Sequence, residues 1–188
     1  MASATVEAFW RWAYGDLCDD DVKAAYAEWL VALLLGLPQQ RRNTGTRSDL
    51  ITPGGVRLEV KSSAYWQSWK YVGEDGALQL PEVTNLSSPP ATRVHFRGLR
   101  ALHSDLYVFC MQTQLDLQKW DALDLAQWEF YLLERRQLEG IGVGANRRSI
   151  TLGTLRRMQS PLSAAQFQQA GMAVVHDLER VLPTRSGK

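Results

Sequence analysis

The stretch "SDLITPGGVRLEVKSS" (residues 48–63) decides how the rest of the chain is read. Pro53, Gly54 and Gly55 separate two aliphatic runs, the pattern of a hairpin with strands over about 47–52 and 56–62. With a three-residue loop, Pro53 takes the first corner of a type I turn and Gly55 the left-handed bulge position. Thr52 then faces Val56, and Asp49 faces Glu59. Val56, Leu58 and Val60 alternate with Arg57, Glu59 and Lys61, so Glu59 and Lys61 share one face and the aliphatics the other. Opposed strand residues have β-carbons about 5 Å apart, near enough for two carboxylates to share an ion. Two carboxylates repel unless a cation joins them, and oxygen donors favour a hard divalent metal. A lysine beside them would orient or deprotonate a water, or stabilise charge on a phosphate under attack. A four-residue loop would put the carboxylates on opposite faces. The plain alternative is an exposed hairpin on which Glu59 and Lys61 simply pair.

Upstream, Thr5 to Tyr14 reads as a helix with Phe9, Trp10, Trp12 and Tyr14 as packing residues. "GDLCDDD" (residues 15–21) supplies a break and acidic N-caps for a second helix over about 21–35, which Gly36 and Pro38 end. Its stripe Val22, Tyr26, Trp29 and Leu33 has helical spacing, but Ala24, Ala27, Val31 and Leu35 make the other side apolar too. Such a helix is normally buried. Glu28 is the charge in its middle, and a buried carboxylate must be paired, protonated or near a metal. If the helix leaves a thin exposed strip, Glu28 instead reaches solvent.

Downstream, residues 62–71 are aromatic-rich, and 74–90 read as loop, broken by Pro81, Pro89 and Pro90. Residues 93–99 suit a strand or a short helix. "DLYVFCMQ" (105–112) is a continuous apolar run that suits a core strand, and "QWEFYLLE" (127–134) is another. A basic, Gly-containing loop follows, and a helix over about 163–182 carries Phe167, Met172, Val175, Leu178 and Leu182. This order describes an α/β fold, a sheet covered by helices.

The 188 residues suit one domain, and 45% hydrophobic with 22% charged is ordinary for a soluble protein. No apolar run approaches the ~20 residues that span a bilayer, and the first residues lack a secretory pattern, so the expectation is a cytoplasmic protein without a membrane segment. Cys18 and Cys110 are isolated thiols. His95, His103 and His176 have no metal-binding spacing, and "GIGVG" (140–144) lacks the residues of a phosphate loop. A net charge of +1 is too small for bulk coating of nucleic acid. Basic residues nevertheless cluster at Arg41 and Arg42, Arg135 and Arg136, Arg147 and Arg148, and Arg156 and Arg157. Of seven tryptophans, most are expected in the core, and Trp66 and Trp69 are the two placed to stack on bases.

Ser48-Asp49, "EVK" at 59–61 and an acidic residue on the preceding helix, Glu28, resemble the PD-(D/E)xK nuclease superfamily in order and spacing. The likeness covers roughly residues 21–112, with Ser48 in place of the family's proline. It implies a restriction-endonuclease-like fold, a mixed central β-sheet flanked by helices. One nuclease-like domain would fill 1–188, with a helical appendage (1–20), a catalytic core (21–135), and a basic loop with the C-terminal helix (136–188). It also implies Asp49, Glu59 and the Val60 carbonyl as ligands of Mg2+, for which Mn2+ can substitute, with Lys61 assisting the water and Glu28 helping. Gln67 and Tyr71 resemble an element of exonuclease members. Gln67, Trp69, Arg147 and Arg148 are the candidate nucleic-acid contacts. The implied activity is Mg-dependent hydrolysis of DNA in restriction, phage defence or repair, by a homodimer or with a partner protein supplying specificity. The alternative is a non-catalytic nucleic-acid-binding or assembly subunit of the same fold.

Overall fold

The hairpin turn forms as its residues require. Thr52 N–H donates to the Val56 carbonyl and Gly55 N–H to the Thr52 carbonyl, both at 2.9 Å, with Gly55 at φ +88°. The computed structural model describes residues 4–39, 41–42, 45–65, 95–99 and 101–181. The turn is also gripped from outside: Glu179 accepts from the Thr52 hydroxyl at 2.5 Å and from Gly54 N–H at 3.0 Å. A Cβ at Gly54 would meet the end of the Glu179 side chain, which would have to swing away from the turn.

Strands β1 (Leu50–Ile51) and β2 (Arg57–Ala64) form the ribbon, with Leu50 opposite Leu58 and Ile51 opposite Arg57. This is the expected register, but the first strand is shorter than 47–52. β2 pairs in parallel with β4 (Leu106–Gln112), which pairs antiparallel with β5 (Trp128–Glu134). The result is a mixed four-stranded sheet in the order β1-β2-β4-β5. β3 (His95–Phe96) and β6 (Ile150–Thr151) make a separate two-stranded sheet, so part of the 93–99 stretch is strand.

Helix α2 (Asp20–Leu34) starts where Asp19 accepts from the Asp21 and Val22 N–H groups. It stops in a Schellman motif, with Gly36 at φ +64°, Gly36 N–H on the Leu33 carbonyl and Leu37 N–H on that of Ala32. Its Leu30 and Val31 pack on Leu58, Val60 and Val108, with Phe130 and Phe167 completing that core. Phe167 comes from α5 (Ala164–Val181) and stacks on Phe130 at 4.9 Å. On the other sheet face Tyr107, Phe109 and Tyr131 pack with Phe96, Leu99, Ile150, Leu152 and Leu155. Each such apolar side chain contributes roughly 1.5–3 kcal/mol on burial.

Several sequence expectations need correction. The buried side of α2 is Ala27, Leu30 and Val31, while Trp29 and Leu33 of the expected stripe are each 48% exposed. Helix α1 (Val6–Tyr14) forms behind its Thr5 cap, but none of its residues is buried; Phe9, Trp10, Trp12 and Tyr14 face outward. Most tryptophans in a core is thus wrong for Trp10, Trp12 and Trp29, while Trp128 is buried. The expected basic loop contains α3 (Arg135–Gly140), β6 and α4 (Leu152–Met158). In the C-terminal helix Phe167 is buried and Met172 exposed; Leu182 lies outside the described residues. No helix among the described residues is long and apolar enough to cross a membrane.

Candidate active site at the hairpin edge

The ladder between β1 and β2 ends at Leu50, and Asp49 does something other than add a rung. Its N–H donates to the Leu58 carbonyl at 3.0 Å, although Leu58 already faces Leu50. Two residues thus meet one, the arrangement of a β-bulge, which bends the strand and re-aims a side chain. The Asp49 carboxylate turns onto the strand edge, where Oδ2 accepts from Val60 N–H at 2.7 Å. The expected direct opposition of Asp49 and Glu59 is therefore replaced by a bond to the next residue along. In an extended strand the N–H and C=O of one residue point to the same edge, so the Val60 carbonyl lies on the Asp49 side. Ser48, where the resembled family carries proline, is buried and accepts from the Ser104 hydroxyl at 2.9 Å.

Glu59 and Lys61 project from β2 on the face away from Val60, in register with Tyr107 and Phe109 of β4. Lys61 Nζ meets Glu59 Oε1 at 2.6 Å, and both side chains are about one-fifth exposed (22% and 19%). The pair expected of a plain surface hairpin exists, but it is half-buried beside Asp49.

Glu28 arrives from the other side. α2 packs on β2 through its apolar face, which leaves Glu28 in a groove of about 570 Å³ that Ser48 and Asp49 also line. Glu28 is 9% exposed and does have the partner its burial demands. Arg42 donates from Nε and Nη2 to its two oxygens, each at 2.6 Å. The sequence demanded a partner for Glu28, yet nothing in the Arg41-Arg42 doublet marked Arg42 as that partner.

The electrostatics converge on Asp49. Burial first, then Glu59 and Glu28, push its carboxyl from 3.8 up to about 6, against the lowering pull of the Val60 N–H and of Lys61. Burial disfavours the charged form and the two neighbouring carboxylates add to that, an imbalance that a bound cation would relieve. The donors suit such an ion: Asp49, Glu59 and a main-chain carbonyl are hard oxygen ligands of the kind magnesium takes. Among the described residues, however, no group of three or more His, Cys, Asp or Glu is positioned to hold a metal. Glu28 is committed to Arg42, so two carboxylates remain.

Arg147 and Arg148 are exposed and lie beside β6, lining a groove with His95. Gln67 and Trp69, with Trp66 and Tyr71, lie outside the described residues. Besides Arg42, sequence reasoning missed Gly98, whose φ of +81° brings a side-chain-free backbone against Lys61. Comparison with known proteins supplies no relative: no family model matches the chain, and no curated protein matches it significantly.

Proposed function

We propose that this protein is a magnesium-dependent nuclease of the PD-(D/E)xK type, with a restriction-endonuclease-like fold, cutting DNA phosphodiester bonds at the hairpin edge. The observation that carries the reading is geometric: Asp49 sits on the strand edge with Oδ2 on the N–H of Val60 at 2.7 Å, the residue between Glu59 and Lys61, whose side chains meet at 2.6 Å. The order of α2, a β1–β2 ribbon, a parallel β2–β4 pair and an antiparallel β5 supports it as well. Asp49, Glu59 and the Val60 carbonyl would hold the ion, which supplies charge neutralisation and a more acidic water when bound. Lys61 lies one alternate position beyond Glu59, placed to donate to a phosphate oxygen or to orient the attacking water. Water adds to phosphorus, the bond to the leaving oxygen breaks, and that oxygen takes up a proton. Glu28 sits behind Asp49 as an anion whose charge Arg42 neutralises.

The hold of Arg42 on Glu28, which leaves only two carboxylates, favours a second reading: a non-catalytic nucleic-acid-binding or assembly subunit of the same fold. Plasmid, linear and single-stranded DNA incubated with Mg2+, Mn2+ or EDTA separates the two. Cleavage that needs the metal and is lost in Lys61→Ala supports the enzyme. Binding without cleavage of any form, with either metal, leaves the second reading. Cleavage at the wild-type rate in Lys61→Ala would point to a contaminant or another site.

A further inference from the structure

Two grooves lie near the site, one lined by Asp49 and one that meets Lys61 through Gly98, and they differ in what they can bind. On the α2 side the walls are partly apolar (Trp29, Leu50, Ile51), Arg42 is occupied by Glu28, and Arg41 is the one lining arginine that meets no carboxylate among the described residues. On the Lys61 side a shallow groove of about 390 Å³ is lined by His95, Arg97, Gly98, Arg148 and Ser149. We infer that this second groove is the track of a nucleic-acid backbone, its phosphates on Arg97 and Arg148 and the position to be cut at Lys61. The inference rests on the nuclease reading for what happens at Lys61, but the track itself is a claim about binding.

Three observations converge. First, the groove and Lys61 are contiguous. A Cβ at Gly98 would lie 3.6 Å from Lys61 Nζ, so the glycine leaves no side chain between the ammonium and the groove. Its φ of +81° is one that other residues rarely adopt, so the position favours glycine. Second, the walls are braced. Leu99 N–H donates to the Arg148 carbonyl at 3.1 Å, and Phe96 pairs with Ile150 across the β3–β6 ladder. Phe96, Leu99 and Ile150 are buried at 1–3% exposure, so the arginines stand on anchored backbone although their own side chains are exposed. Third, the charge is available. Arg97 and Arg148, the two arginines that line this groove, meet no carboxylate among the described residues, unlike Arg42, Arg135, Arg136 and Arg156. Unpaired guanidinium groups on a fixed support, on a chain of net charge +1, make a local site for phosphates.

The test is binding of the full chain to a fluorescent 30-base-pair DNA duplex, and to its single strand, in EDTA across a potassium chloride series. Relative to wild type, Arg97→Ala with Arg148→Ala should lose about tenfold or more in affinity, and the slope of log K against log salt should fall by about two. Arg97→Lys with Arg148→Lys should keep most of the slope. Arg41→Ala, in the groove on the α2 side, should change little. Circular dichroism melts of each variant confirm the fold. An Arg97/Arg148 alanine pair with wild-type affinity and slope would overturn the inference, as would a wild type that binds neither DNA form. If binding depends on Arg97 and Arg148 but no metal supports cleavage, the track stands and the nuclease reading fails. If the wild type cuts DNA while the alanine pair binds normally, the nuclease reading stands and the track is wrong.

Discussion

At β5, Arg156 donates to both oxygens of Glu129 at 2.9 Å, while the Tyr131 hydroxyl donates to Glu129 at 2.6 Å and accepts from Arg156 at 3.2 Å. At the hairpin edge Asp49 takes one N–H from Val60 and faces Glu59 and Glu28 as well as Lys61. Both clusters combine carboxylates with a cation on or beside one sheet, and their electrostatic outcomes differ. Around Glu129 every acceptor has a donor, and burial together with the carboxylate holds the Tyr131 phenol well above its ordinary value, as a neutral donor. Around Asp49 burial, with Glu59 and Glu28 adding to it, outweighs the Val60 N–H and Lys61, and the carboxyl is pushed up to about 6. A completed network contributes stability; an incompletely compensated one is suited to recruiting a cation or a substrate.

On the proposed function, the sharpest break between the two clusters is catalytic. Asp49→Ala and Lys61→Ala are each expected to cut DNA cleavage by a factor on the order of a hundred or more. Calorimetric titration with magnesium separates them: Asp49→Ala loses affinity with its ligand, whereas Lys61→Ala keeps both carboxylates and binds at least as tightly. Equal loss of metal affinity in both variants would mean that Lys61 organises the site instead of acting in the chemistry.

Next in size is the mirror experiment. Arg156→Ala leaves Glu129 with the Tyr131 hydroxyl as its remaining donor and the Tyr131 oxygen with none, and should cost about 1–2 kcal/mol in urea unfolding. That figure is kept low because the Arg156 side chain is 34% exposed and its charge is partly screened. Cleavage per folded molecule should not change. A large loss of cleavage with normal stability would make the β5 cluster part of the site.

The smallest effect is the pH dependence of the metal-free protein. Asp49 titrates at about 6 when folded, against an ordinary value of 3.8, so the folded state binds the proton more tightly. Its contribution to stability is therefore fully present below about pH 3.8 and is lost as pH rises through 6. Asp49→Asn keeps an oxygen for the Val60 N–H but cannot titrate, so that component of the fall should vanish from urea melts between pH 4 and 7. Glu28→Gln removes one raising charge and releases Arg42, and both changes move the Asp49 carboxyl downward in an NMR titration. An unmoved Asp49 would show that Glu28 and Asp49 are electrostatically independent.

The hairpin, its three-residue turn and the faces of β2 were legible in the chain, because turn type and period-two alternation are local properties of Pro53, Gly55 and the 56–61 run. So were the ends of α2, set by Asp19 and Gly36 next to the residues they cap. α3 and α4, six and seven residues long with a glycine in each, are too short to show a helical period. The apolar stripe of α1 gave the right helix but not its burial, since a stripe says which side is apolar and not what lies against it. At the site the sequence determined which groups are present, Asp49, Glu59 and Lys61 on one ribbon, and that Glu28 needs a partner. Only the tertiary structure decided that Arg42 is that partner, that a bulge turns Asp49 onto the Val60 N–H, and that Gly98, in the groove lined by Arg97 and Arg148, lies next to Lys61. The reason is physical: spacing along a strand fixes the direction of a side chain, whereas its partners come from segments that meet only when α2, the sheet and the β3–β6 pair pack together.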